Sequence, residues 1–145
     1  MKVRHFLRGL SGVVWLSAFA CAEVASPHSG LLVSIDRASL DSTKTLISTY
    51  TVMNLGPDAK QIAACDGDPI PEWQVLENGA WELAAGGLDS CPAPALFSGV
   101  LSVGPGARLQ DSTGFWEAEP GTYRLVLFSA DDGHPRTISE PVTVR

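Results

Sequence analysis

Beyond its first 22 residues, this chain alternates apolar and polar side chains with a period of two over many short stretches, and turn residues separate them. No stretch of ten or more residues there carries a helical period. Successive side chains of a strand point to opposite faces, so each such stretch offers one apolar face that must be covered by another. The chain has 14 Gly and 10 Pro among 145 residues, a composition that punctuates short strands and excludes a coiled coil, a long disordered acidic tail or a multidomain enzyme. The pattern predicts an all-β fold: an antiparallel β-sandwich of seven to eight strands.

The strands can be placed one by one. Leu31, Val33 and Ile35 alternate with Leu32, Ser34 and Asp36; a second strand runs from Leu46 to Met53 and stops at Asn54-Leu55-Gly56-Pro57; a third spans 60–64. Asp66-Gly67-Asp68-Pro69-Ile70-Pro71 is predicted as a loop, because two prolines cannot sit in a central strand. Trp73 to Glu77 and Ala80 to Leu83 flank Asn78-Gly79, the pair that a two-residue type I′ hairpin favours because both central residues need positive φ. That register sets Leu76 opposite Trp81, and it puts Gln74, Leu76, Trp81 and Leu83 on one face. Trp81 is thereby expected in the core, and Trp73 on the charged face, partly exposed. Further strands are expected at 97–103, around Leu109, at 123–128 and at 137–144, with Asp131 to Pro135 as a hairpin connection.

The first residues read as an address. Lys2, Arg4 and Arg8 precede an apolar run from Leu10 to Ala20 and then small residues, which is the plan of a secretory signal peptide and too short to span a membrane. Residues 1–22 are thus expected to be a leader and 23–145 the folded domain. Two processing readings stand side by side. Cleavage after Ala22, or next door after Ala20, releases a soluble domain, whereas a lipidated Cys21 after a leader ending at Ala20 tethers it to the membrane.

With Cys21 removed or acylated, Cys65 and Cys91 remain as an even pair that an exported chain can oxidise. They lie 26 residues apart, and closing such a loop removes denatured-state entropy worth roughly 3.5 kcal/mol in the chain-entropy model. A metal-thiolate site is the competing reading, but it needs Cys or His at short spacing, and neither cysteine has such a neighbour. A disulfide between Cys65 and Cys91 is therefore expected.

Glu119-Pro120-Gly121-Thr122-Tyr123-Arg124-Leu125 places a Tyr two residues past a Gly at the start of a late strand. This is similar to the tyrosine corner of immunoglobulin-like sandwiches, with Leu125 where antibody domains carry their second cysteine. Together with Tyr50-Thr51-Val52-Met53-Asn54-Leu55-Gly56, the Cys before a Pro-containing loop, Gly79-Ala80-Trp81 and Val103-Gly104-Pro105-Gly106, the exported part resembles a bacterial immunoglobulin-like domain family of small secreted or lipid-anchored proteins, most of them without an assigned function. The resemblance implies the sandwich fold and carries no catalytic residue with it. The order of these motifs is also similar to a bacterial proteinase-inhibitor family of the same architecture. Ser112-Thr113-Gly114-Phe115-Trp116 resembles a binding loop of the chagasin-type cysteine-protease inhibitors, without the two loop motifs that accompany it there.

Charge and residue types bound the function. Residues 23–145 hold seven Lys and Arg against sixteen Asp and Glu, so nucleic acid and anionic lipid are repelled and neither is expected as a partner. The exported part has only His28 and His134 as imidazoles and no Gly-x-Ser-x-Gly elbow, which leaves little for nucleophilic catalysis. Asp66 and Asp68 offer two oxygen ligands for calcium on one loop, yet Asp and Gly are also what an exposed turn uses. No metal or cofactor is expected. Trp73, Phe115 and Trp116 form the candidate binding surface, since exposed aromatics give large contact area at little entropic cost. The resulting expectation is a non-catalytic exported module of the periplasm, cell envelope or extracellular space. It would bind a protein or glycan partner and touch the membrane only through Cys21, with a secreted β-sandwich protease inhibitor as the alternative.

Overall fold

The computed structural model describes residues 30–86, 99–130 and 136–145, and every regular element in them is a strand. In chain order they are β1 (Leu31–Leu40), β2 (Leu46–Asn54), β3 (Lys60–Cys65), β4 (Asp68–Pro69), β5 (Glu72–Glu77), β6 (Ala80–Gly86), β7 (Gly99–Val103), β8 (Arg108–Phe115), β9 (Gly121–Phe128), β10 (Arg136–Ile138) and β11 (Val142–Val144). All pairings are antiparallel. One sheet has the order β1-β2-β8; the second has β10-β9-β5-β6 with β11 also on β9; the third, β4-β3-β7, is joined to the second by an Ile62–Ser129 bridge and by the Ala130 N–H donating to the Gln61 carbonyl.

The eleven described strands exceed the seven or eight expected, and two of the additions are short pieces. β4 is a two-residue edge strand that accommodates Pro69, consistent with the exclusion of proline from sheet interiors. The last strand is broken by Ser139-Glu140-Pro141. Ser139 closes the gap, since its N–H donates to the Leu125 carbonyl and its Oγ accepts from the Leu125 N–H at 2.9 Å.

Leu31 and Val33 of β1, Leu46, Tyr50 and Val52 of β2, Trp73 of β5 and Tyr123, Leu125 and Leu127 of β9 fill the space between the sheets. Asn54, wholly buried, clamps two turns at one end of the sandwich. Its Nδ2 donates to the carbonyls of Asp58 and Val103 at 2.7 and 2.8 Å, and its Oδ1 accepts from the Gly56 N–H. The expected strand end at Asn54-Leu55-Gly56 and the Gly104-Pro105-Gly106 turn therefore meet, and the Gly106 N–H donates to the Asn54 carbonyl.

The Asn78-Gly79 turn forms as expected, with φ of 51° and 84°, and Leu76 pairs with Trp81. The face assignment is reversed. Trp73 is 1% exposed and lies in the core, whereas Leu83 is 64% exposed, Leu76 is exposed and Trp81 is half-buried. The cause lies in β9. Tyr123 and Leu125 point inward and pair with Val75 and Trp73, so Gln74 is carried to the outer face opposite Arg124. There Arg124 Nε donates to Gln74 Oε1 at 2.8 Å, and its guanidinium lies 4.3 Å from the centre of the Trp81 ring. Trp81 thus serves as a platform for a cation on the outside of the sheet.

Trp73 Nε1 is buried with no hydrogen-bond partner, a cost of about 1–3 kcal/mol. Burying an indole removes roughly 150–250 Å² from water, worth about 4–6 kcal/mol at 25 cal/mol/Å², so packing outweighs the orphaned donor. Trp73→Ala is expected to cost about 3–5 kcal/mol. Trp81→Ala is expected to cost less, about 2 kcal/mol, the scale of a cation–π contact to a cation that, like Arg124, is buried. Guanidinium unfolding midpoints of the two variants check the order, which is the reverse of the one the hairpin pattern predicts.

Candidate functional site

The same aromatic residues that fill one end of the core build a groove at the surface. Trp73, Phe115 and Tyr123 form a closed triangle with ring centroids 6.0–6.2 Å apart in tilted and edge-on geometry, the arrangement favoured by ring quadrupoles. Phe115 reaches it because Gly114 lets β8 press against β2: a Cβ at Gly114 would stand 2.3 Å from the Leu46 carbonyl oxygen. Tyr123 is fixed by its hydroxyl, which donates to the Glu119 carbonyl at 2.6 Å. This is the tyrosine corner expected from the sequence.

Between the β5–β6 hairpin and the segment joining β8 to β9 lies an open groove of about 310 Å³. Val75, Phe115 and Tyr123, partly or wholly buried, form its floor, and Leu83 and Ala84 form one wall. Its rim carries three exposed carboxylates, Glu77 at the end of β5 and Glu117 and Glu119 on the joining segment. That segment is held in place by the buried Ala118, whose N–H donates to the Lys44 carbonyl at 2.9 Å, and by an ion pair between Lys44 Nζ and Glu119. Glu117 adopts a left-handed φ of 61°, a conformation rare outside glycine and Asn. Trp116, next to Phe115 in the chain, is 81% exposed.

The candidate aromatic surface is therefore divided by the fold. Trp73 is core, and the expectation of partial exposure is corrected. Phe115 is half-buried beneath the groove, and Trp116 alone of the three stands free in solvent. Ser112 to Phe115 belong to β8, each paired with a residue of β2 from Thr49 back to Leu46, so they cannot protrude as the inhibitor-like loop does. Glu77, Glu117 and Glu119 were not singled out by sequence. The Asn-Gly turn located Glu77 at a hairpin tip, but nothing in the pattern placed that tip beside the segment leading into β9.

Asp66 and Gly67 form a two-residue turn between β3 and β4, both at positive φ (53° and 95°), which gives this Asp-Gly pair a conformational reason. Among the described residues no group of three or more His, Cys, Asp or Glu is arranged to hold a metal ion. Cys65 ends β3. Cys91, Cys21, His28 and His134 lie outside the described residues.

Both tyrosines of the chain have hydroxyls that resist ionisation. Burial, then the charge of Asp111, raises Tyr50, which donates to Asp111 Oδ2 at 3.1 Å. Burial is also the main cause for Tyr123; its bond to the Glu119 backbone opposes the rise, and the charges of Glu119 and Glu77 add to it. A tyrosine raised in the folded state contributes stability that is intact below the unfolded value near 10 and is lost as pH climbs past it. The expected outcome is alkaline unfolding above about pH 10, with tyrosinate absorbance at 295 nm rising together with loss of near-ultraviolet dichroism rather than before it.

No protein-family model and no curated protein matches this chain. Solved structures similar to it include a CARDB domain from Pyrococcus furiosus in complex with di-metal ions (TM-score 0.41, 17% identity, 79% of this chain and 87% of that one). An alkylpurine DNA glycosylase of Pseudomonas fluorescens bound to DNA is similar over 83% of this chain and 32% of its own (TM-score 0.43, 11% identity). A β-glucosidase from Listeria innocua is similar over 79% and 16%, respectively (TM-score 0.41, 12% identity). The chain thus spans less than a third of the length of the glycosylase and about a sixth of that of the glucosidase.

Proposed function

We propose that the protein is a non-catalytic, exported immunoglobulin-like binding module, which uses the groove end of its sandwich to hold a protein partner in the cell envelope. The observation that carries this reading is Trp116: a large apolar ring left 81% exposed beside an open groove with an aromatic floor. A ring in that position gains little from the fold and has much to gain from a partner, because interface energy concentrates in such aromatic anchors. The reading includes export by the leader, either with release or with tethering through Cys21, and a staple between Cys65 and Cys91 that stabilises shape and takes no part in chemistry.

Two outcomes are expected. Protein made from the full-length chain in its host and recovered from the envelope should retain a partner that co-purifies in stoichiometric amount, and Trp116→Ala should release it while the unfolding midpoint moves by less than about 0.5 kcal/mol, as for an exposed site. Retention of the partner by the variant would show that Trp116 is not the anchor. Intact mass of the same material without reductant should be two hydrogen atoms lighter than after reduction, and free thiols at Cys65 and Cys91 would refute the staple.

A further inference from the structure

We propose that the groove accepts the side chain of a lysine or arginine presented by the protein partner, with its alkyl stem on Phe115 and Tyr123 and its charged end among Glu77, Glu117 and Glu119. This assignment rests on the binding reading above and names the chemistry it uses. Three features of the groove select such an occupant. The floor is apolar and aromatic, and it can cover a methylene stem and face a cation with ring π-density. The charged residues that line the groove are Glu77, Glu117 and Glu119, with Lys44 offsetting Glu119 in part, on a domain that carries a large negative excess, so an entering cation relieves like-charge repulsion and forms charge-assisted hydrogen bonds. The volume of about 310 Å³ is at the small end of ligand pockets, suited to one long side chain.

The spacing of the acids argues against the simplest alternative cation. They are not clustered as metal ligands among the described residues, whereas an organic cation with several donors on a flexible stem can reach separated carboxylates. The fold already displays this chemistry: Lys44 pairs with Glu119 at the rim, with both side chains more than half exposed. An exposed pair of this kind is worth little, so Lys44 can yield Glu119 to a better-placed cation.

The test uses the full-length chain, processed by its host, and a synthetic acetyl-Leu-Lys-Leu-Lys-Leu-amide, with the same peptide acetylated on both lysines as control. Titration followed by aromatic and backbone NMR should shift Phe115, Tyr123 and Trp116 saturably, and the acetylated peptide should shift none of them. The Glu77→Gln, Glu117→Gln double variant should bind at least tenfold more weakly, and Lys44→Ala should bind more tightly. Asp58→Asn with Glu140→Gln, which changes the net charge equally away from the groove, should leave affinity within twofold. Equal binding of the acetylated peptide, equal weakening by the remote pair, or no groove shift at millimolar peptide would overturn the assignment. Loss of a native partner on Trp116→Ala without any response to the lysine peptide would leave the binding reading standing and sink this one; the converse would keep the cation site and remove the partner.

Discussion

The hydroxyl of Tyr123 donating to the carbonyl of Glu119 ties together the parts of this molecule that matter for its site. The bond orders the segment between β8 and β9, and that order sets Glu117 and Glu119 on the rim. It also holds the Tyr123 ring where it closes the triangle with Trp73 and Phe115. A net hydrogen bond contributes only about 0.5–1.5 kcal/mol, so its importance is geometric. One contact at a strand entrance places the aromatic floor and the acidic rim in register, while burial of the rings supplies the energy.

The groove is built by strands far apart in the chain. Val75 and Glu77 come from β5, Phe115 from β8, Tyr123 from β9, and the support from Lys44 in the turn before β2. Each of these residues has a local explanation as core, strand end or turn. Their convergence on one concave surface is a property of the packing of the β1-β2-β8 sheet against the five-stranded sheet. Apart from the buried indole N–H of Trp73, the interior around the ring triangle is packed with apolar side chains, and the carboxylates of Glu77, Glu117 and Glu119 lie at its solvent edge. Trp116, the exposed aromatic on which the proposed binding rests, follows Phe115 at that edge.

The reversal at the β5–β6 hairpin shows where reading from sequence stops. Within the hairpin, alternation and the Asn78-Gly79 turn correctly determine which residues face one another, because positive φ at both central positions and a period of two are local requirements. They do not determine which face is buried, since both faces of this segment carry a tryptophan and an aliphatic residue. That choice belongs to β9, whose inward Tyr123 and Leu125 draw Val75 and Trp73 with them and whose Arg124 claims Gln74 and Trp81 on the outside. The Ser112 to Phe115 segment makes the same point. As a motif it resembles a loop, and pairing with β2 makes it a strand.

By itself, the amino-acid sequence determined the all-β class, the hairpin and its register, the tyrosine corner and the acidic character of residues 23–145, all of which follow from local periodicity, local dihedral preference and residue counting. Tertiary structure alone decided that Trp73 is core and Trp116 is free, that Asn54 joins two distant turns, and that three glutamates rim one aromatic groove. These depend on contacts between residues dozens of positions apart, where solvent exclusion and cross-strand register select one face from two that local chemistry leaves equivalent.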